Sequence, residues 1–212
     1  MPNPNWNQPY GVDLHTGGGG YYEMAFKIVC PATLAAAANI FALQWLPSTA
    51  KGFVYRFQLK WMKLNAINTT GLTAAQLCDF YAFKAKAYPT ALAGGTAQLP
   101  ATLDQKRQSK YQASQFLAGG DIRYYSSALT GGAGLTLEAI PFLGASFWGT
   151  AAAGASMNAP VIEEFDEHHV PMTLDTGQGI VIQNGTLLPA AGAVTVWLEL
   201  GWMEEIYGSQ VY

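Results

Sequence analysis

The closing segment "GIVIQNGTLLPAAGAVTVWLELGWMEE" (179–205) restricts the fold more than any other stretch of the chain. Val194, Val196, Leu198, Leu200 and Trp202 recur at every second position, with Thr195, Trp197, Glu199 and Met203 between them. A period of two is the signature of a strand that buries one face, so this segment predicts a long closing strand. Its second face is only partly polar, as expected of a face that a loop or partner covers. Ahead of it, "PMTL" (171–174) reads as a short extended piece, "GIVIQ" as a strand and "NG" (184–185) as a turn.

The same alternation appears in "GFVYRFQLKWMKL" (52–64), where Phe53, Tyr55, Phe57, Leu59 and Trp61 are expected on one face and Arg56, Gln58 and Lys60 on the other. Further strands are predicted in "CDFYAFKAKAY" (78–88), "DIRYYSS" (121–127) and "GLTLEAI" (134–140). The separators "NTTG", "LAGGTAQLP" and "LTGGAG" carry turn chemistry. Helical propensity is confined to "CPATLAAAANIF" (30–41) and "LTAAQLC" (72–78), enough for one or two short helices at most. Many short strands with glycine-rich turns and no fixed repeat define the expected fold: an all-β, antiparallel, jelly-roll-like β-sandwich.

The expected organisation is an extended N-terminal arm over residues 1–20, rich in Pro, Asn and Gly, followed by a single sandwich domain over 21–212. Trp6 and Tyr10 are the arm's two large aromatics and its candidate anchors. The start of the chain has neither a basic nor an apolar region and is not expected to act as a secretory signal.

Charged residues make up 12% of the 212 residues, against about 25% in an ordinary soluble domain. So weakly charged a surface points to coverage by other subunits. The longest apolar candidate, "ATLAAAANIFALQWL" (32–46), is broken by Asn39 and Gln44 and falls short of the roughly 20 residues a membrane span needs. Net charge is −3 and basic residues are scattered, which argues against a nucleic-acid partner. Cys30 and Cys78 have no metal-ligand spacing and are expected as buried thiols.

Four segments together, "ANIFALQWLPSTAKGFVYRFQLKWMKLNAI", "GLTAAQLCDFYAFKAKAY", "GGDIRYYSSALTGGAGLTLEAIPFLG" and "PMTLDTGQGIVIQNGTLLPAAGAVTVWLELGWMEE", occur in the order seen in a group of tailed-phage and prophage virion structural proteins, which this chain resembles over roughly residues 20–205. The resemblance implies a β-rich virion component of a capsid or tail, and an Ala-rich segment 32–38 that forms a loop before a strand. It implies no reaction and transfers no functional residue.

No catalytic residues are assigned. "GASFWG" (144–149) misses G-x-S-x-G by one position. The glycine runs 16–20 and 130–134 lack the Lys-Ser/Thr that cradles phosphate. His15 has no nucleophile near it in sequence and reads as a surface or interface histidine. Asn68 and Asn184 satisfy the N-x-S/T pattern but are expected to carry no glycan in a protein made in a bacterial cytoplasm.

The stretch "EEFDEHHV" (163–170) stands out in so neutral a chain. In an extended chain Glu164, Asp166 and His168 share a side and could offer oxygen and nitrogen ligands to a divalent cation. No second cluster supplies the remaining ligands, so the expectation is a solvated or interfacial loop, with no metal or other cofactor assigned. Glu163, Glu164, Asp166 and Glu167 could pair with the basic group Lys106, Arg107 and Lys110 of a neighbouring subunit. A Gly/Ala-rich contact loop is expected over 144–160, with Phe147 and Trp148 as contact residues.

The expected function is that of a non-enzymatic virion structural protein, a capsid decoration or cement protein that oligomerises with itself and binds the major capsid protein, located in virions assembled in the bacterial host cytoplasm. The alternatives are a tail or baseplate component and a carbohydrate- or receptor-binding β-sandwich.

Overall fold

A computed structural model describes residues 20–47, 54–100, 114–152, 161–164 and 172–207. In chain order the strands are β1 (Gly20–Cys30), β2 (Asn39–Trp45), β3 (Val54–Thr70), β4 (Gln76–Ala87), β5 (Leu92–Ala93), β6 (Thr96–Ala97), β7 (Asp121–Tyr124), β8 (Thr130–Gly131), β9 (Thr136–Leu137), β10 (Leu143–Gly149), β11 (Val161–Glu164), β12 (Met172–Leu174), β13 (Gln178–Asn184) and β14 (Ala193–Tyr207).

Strand pairing defines the topology without recourse to any likeness. The antiparallel partners are β1 with β14, β2 with β13, β3 with β11 and β12, and β4 with β10. Such nested pairs are those of one long hairpin whose two arms run side by side. The arms then fold over, joining β14 to β3 and β13 to β4. Two sheets result, β1-β14-β3-β11/β12 and β10-β4-β13-β2, the second extended by β7 and β6. This is the double Greek key of a jelly roll, and the all-β sandwich expected from the alternation is the fold observed.

The core lies between the sheets and follows the period-two pattern. In β14, Val194, Val196, Leu198, Leu200 and Trp202 are all buried, as predicted. In β1 the inward set is Tyr22, Met24, Phe26, Ile28 and Cys30. One end of the sandwich is aromatic: Trp202 stacks between Tyr22 and Phe57, and Phe116 meets Trp45, Phe57 and Trp202 edge-on. Such edge and offset contacts each contribute about 0.5–1.5 kcal/mol beyond area burial.

Trp61 departs from the expected alternation. Gly201 faces Trp61 while Trp202 faces Leu59, so Lys60 is an extra residue, a β-bulge. The bulge reverses the pleat of β3: Tyr55, Phe57 and Leu59 point inward before it, and Met62, Leu64 and Ala66 after it. Trp61 therefore lies on the outer face, where its indole N–H donates to the Tyr21 hydroxyl at 2.7 Å. Its ring crosses Gly201 so closely that a Cβ there would stand 2.3 Å from the indole nitrogen. Any larger residue opposite Trp61 would have to push the indole or the Tyr21 hydroxyl aside.

The helix-prone segment 30–41 forms turns that lead into β2, the loop before a strand that the resemblance implied. Thr33 and Ala37 adopt left-handed φ values of 59° and 60°, which no right-handed helix admits. Tertiary hydrogen bonds hold them there: Thr33 N–H to Pro189 O, Ala37 N–H to Asn184 O, and the Asn184 side-chain amide to Leu34 O and Ala35 O. The second helix-prone segment, 72–78, is likewise not helical, because Gln76–Cys78 open β4. Among the described residues the helix is a 3-10 turn, Gln115–Ala118.

The connection from β4 to β10 is long, and its described parts fold back over the outer face of the second sheet. Tyr88, Leu92 and Leu129 cover Ala42, Ala85 and Val181, forming a second apolar cluster. The buried Gln44 side chain donates to Tyr88 O at 2.6 Å and pins this cover down. Strand β2 is thereby buried on both faces.

Candidate interaction surface

Strand β10, "LGASFWG", alternates strictly between buried and exposed positions. Leu143, Ala145 and Phe147 point into the sandwich, whereas Trp148 points out and is 58% exposed. This corrects the contact loop expected over 144–160: residues 144–149 belong to a strand, and Phe147 is a core side chain with no surface to offer. Residues 153–160 lie outside the described residues.

Trp148 has neighbours. It pairs across the ladder with Leu77, itself 46% exposed, and facing side chains on paired strands stand about 4.5–5.5 Å apart at Cβ. The turn after β13 is tied to the same spot, since the Thr186 hydroxyl donates to Leu77 O at 3.0 Å and the Gln76 amide donates to Leu187 O at 2.8 Å. Leu187 is 60% exposed. Leu77 and Trp148 thus form an exposed apolar pair, and the turn that carries Leu187 is tied to the same corner of the second sheet. Burying an apolar side chain is worth about 1.5–3 kcal/mol each, and tryptophan is among the residue types most enriched at the energetic centres of interfaces.

The corner rests on a buried polar layer. Asn184, fully buried, donates its side-chain amide to Leu34 O, Ala35 O and Thr186 O. Gly185 N–H donates to Asp79 O at 2.7 Å, holding the turn against β4. Asn68, also fully buried, donates to Thr150 O and Ala152 O just beyond Trp148. Both sequon asparagines are therefore structural, with their side-chain N–H groups enclosed and engaged.

A buried carboxylate occupies the other end. Glu204 accepts from the Ser114 hydroxyl at 2.6 Å, Gln115 N–H at 2.8 Å and the Trp202 indole N–H at 3.1 Å. It ties the start of the 3-10 turn to β14 and so seats Phe116 in the aromatic cluster. Burial, and next to it the Glu204 charge, push the Tyr22 hydroxyl well above the ordinary tyrosine range and raise that of Tyr55. Burial also pushes the Tyr88 hydroxyl and the Cys30 thiol up to about 12. Cys30 and Cys78 are buried free thiols, as expected. Groups shifted this way stay neutral and are poor nucleophiles.

Of the acidic stretch, Glu163 and Glu164 belong to β11 rather than a loop, with Glu164 exposed and opposite Trp61. Asp166, Glu167 and His168 lie outside the described residues, as do Trp6, Tyr10, Lys106, Arg107 and Lys110. Among the described residues no group of three or more His, Cys, Asp or Glu could hold a metal ion, and no helix is long and apolar enough to cross a membrane.

Leu77, Leu187 and Glu204 were missed by the sequence reading. The first and last were legible: Leu77 has the parity opposite to the inward Cys78, Phe80 and Ala82, and Glu204 shares the parity of Trp202. Leu187 carried no such signal, because it lies in a turn.

No family model matches the chain, and no curated protein matches it. The chain is similar to solved structures at low identity. One, described as "Desmodium yellow mottle tymovirus", is 13% identical over 97% of this chain and 92% of the other, with a TM-score of 0.30. A second, described as "Crystal structure of 60-mer BFDV Capsid Protein", is 10% identical over 89% of this chain and 92% of the other, with a TM-score of 0.26. The jelly-roll assignment rests on the strand pairing alone.

Proposed function

We propose that the chain is a non-enzymatic virion structural protein that self-associates and attaches to a capsid shell as a decoration or cement protein. The observation that carries this reading is the apolar corner Leu77–Trp148–Leu187 on a chain with only 12% charged residues. Desolvating such a corner needs no compensation of charge and gives a strong, sequence-tolerant hold on a partner. The resemblance to tailed-phage virion proteins agrees with it, and so does a fold that presents two broad sheets. In this reading the chain is one sandwich with an N-terminal arm clamped through Trp6 and Tyr10, its partners are its own copies and the major capsid protein, and its place is the virion. The acidic residues 163–167 would face Lys106, Arg107 and Lys110 of a neighbour.

Binding of the purified chain to particles stripped of it tests the reading. Trp148→Ala should lower occupancy at least tenfold, and deletion of residues 1–16 should lower it without unfolding the domain. Unchanged occupancy in both variants would overturn the proposal. Attachment to isolated tails instead of capsids would select a tail or baseplate role. The exposed indole of Trp148 also suits stacking on a sugar ring, which supports a second reading as a carbohydrate- or receptor-binding module. Glycan-array signals abolished by Trp148→Ala would select that one.

A further inference from the structure

Of the four edges of the two main sheets, β1 is the longest and most regular, and the other three are shorter or interrupted. The second sheet ends in β6, 2 residues long, and β10, 7 residues long. The far edge of the first sheet is split between β11 and β12, with 4 and 3 residues. The remaining edge is β1: 11 residues in unbroken register with β14, without proline or bulge, and with no second strand beside it among the described residues. Folded proteins guard long regular edges, because an open ladder recruits any compatible strand.

The outward residues of β1 match their own reverse. They are Tyr21, Glu23, Ala25, Lys27 and Val29, of which Ala25, Lys27 and Val29 are exposed. Two copies of β1 laid antiparallel overlap over their whole length in a single register, centred on Ala25. That register sets Glu23 opposite Lys27 of the other strand, twice by symmetry, and sets Tyr21 opposite Val29, an apolar side chain left 47% exposed in the single chain. Shifting the centre by one residue either way shortens the overlap and separates both pairs. Glu23 is also engaged within its own chain, and a carboxylate has acceptor capacity for more than one partner. Opposite-charge and apolar cross-strand pairs favour a register, and like charges in the same places disfavour it.

We propose that β1 pairs antiparallel with β1 of a second copy of this chain about a two-fold axis at Ala25, so that two five-stranded sheets continue as one. The contact is isologous and closed, the commonest route to a soluble homodimer. It deepens the self-association in the proposed function and rests on that part of it alone. Attachment through the Trp148 corner is a separate surface and can fail or hold independently.

Cysteine cross-linking of the full chain tests the register. Ala25→Cys places two thiols face to face on the axis and should give a covalent dimer under mild oxidation. Val29→Cys, also at an exposed position but eight residues from its symmetry mate in that register, should not. The native Cys30 and Cys78 are buried and do not compete. In sedimentation velocity Lys27→Glu should raise the dimer dissociation constant at least tenfold, and Glu23→Lys with Lys27→Glu should restore it. Equal cross-linking at 25 and 29, or association unchanged by Lys27→Glu, would overturn the proposal. If the double variant does not fold, the comparison of the two cysteines decides.

Discussion

Replacing Glu204 tests whether the aromatic end of the sandwich depends on one buried carboxylate. Glu204 is 1% exposed and accepts from Ser114, Gln115 and Trp202. Glu204→Ala leaves the Gln115 amide and the Trp202 indole without these acceptors, and each orphaned buried donor costs about 1–3 kcal/mol. The Ser114 hydroxyl, 2% exposed, loses its acceptor as well. Relief of the carboxylate's own desolvation offsets part of this, so the net loss should be about 3–5 kcal/mol, a large share of the roughly 5–15 kcal/mol that holds a domain folded. Glu204→Gln should cost less, about 1–2 kcal/mol. Its carbonyl can still serve Ser114 and Trp202, which share Oε1, while its amide opposes the Gln115 N–H. Urea unfolding measures both, and hydrogen exchange at Gln115 and Phe116 should accelerate more than in β14. The glutamine variant should also bring the Tyr22 and Tyr55 hydroxyls down in spectrophotometric titration, because the Glu204 charge helps to raise them. An alanine variant within about 0.5 kcal/mol of the parent, roughly a twofold change in equilibrium, would refute the reasoning.

Three further outcomes follow from the same geometry. Phe147→Ala should destabilise the fold by about 3–5 kcal/mol, whereas its neighbour Trp148→Ala should stay within about 1 kcal/mol; equal losses in urea unfolding would mean that β10 is placed with the wrong face inward. Gly201→Ala should cost about 1–3 kcal/mol by forcing the Trp61 indole aside, and Trp61→Ala should relieve most of that cost in a double-mutant cycle. Stability should fall as pH rises above about 9, because the unfolded Cys30 and Tyr88 lose protons there while the folded groups hold theirs to about 12; flat stability between pH 8 and 11 (a range of about three units) would contradict the burial of these groups.

The fold was legible where one face of a strand meets the core and the other meets water. The alternation in 193–203 and 54–59 specified most of β14 and the first part of β3. It failed at Trp61 because a bulge at Lys60 reverses the pleat, and a bulge is set by the partner strand as much as by local sequence. It failed at β2 because the β4–β10 connection buries both faces of that strand, so "NIFALQW" shows a continuous apolar run with no period. The helix-prone alanines at 35–38 were overruled by hydrogen bonds from Asn184, more than a hundred residues away. The strand β1 carried a clear alternation that the sequence reading passed over, although its inward set runs from Tyr22 to Cys30 without a break.

The candidate surface was legible in part. Trp148 stood out as a large aromatic in a small-residue stretch, and it is exposed; Phe147 stood beside it for the same reason and is buried. Composition could not separate them, but the parity of β10 does. Leu187 joins the corner only through the fold, since a turn after β13 brings it to a residue more than a hundred positions earlier.

Electron cryomicroscopy of purified particles bears most directly on the central claim. A repeated two-sheet jelly-roll density for this chain is expected on the particle, with Leu77, Trp148 and Leu187 buried against a neighbour. Particles that lack the chain, or that carry it with this corner facing open solvent, would contradict it.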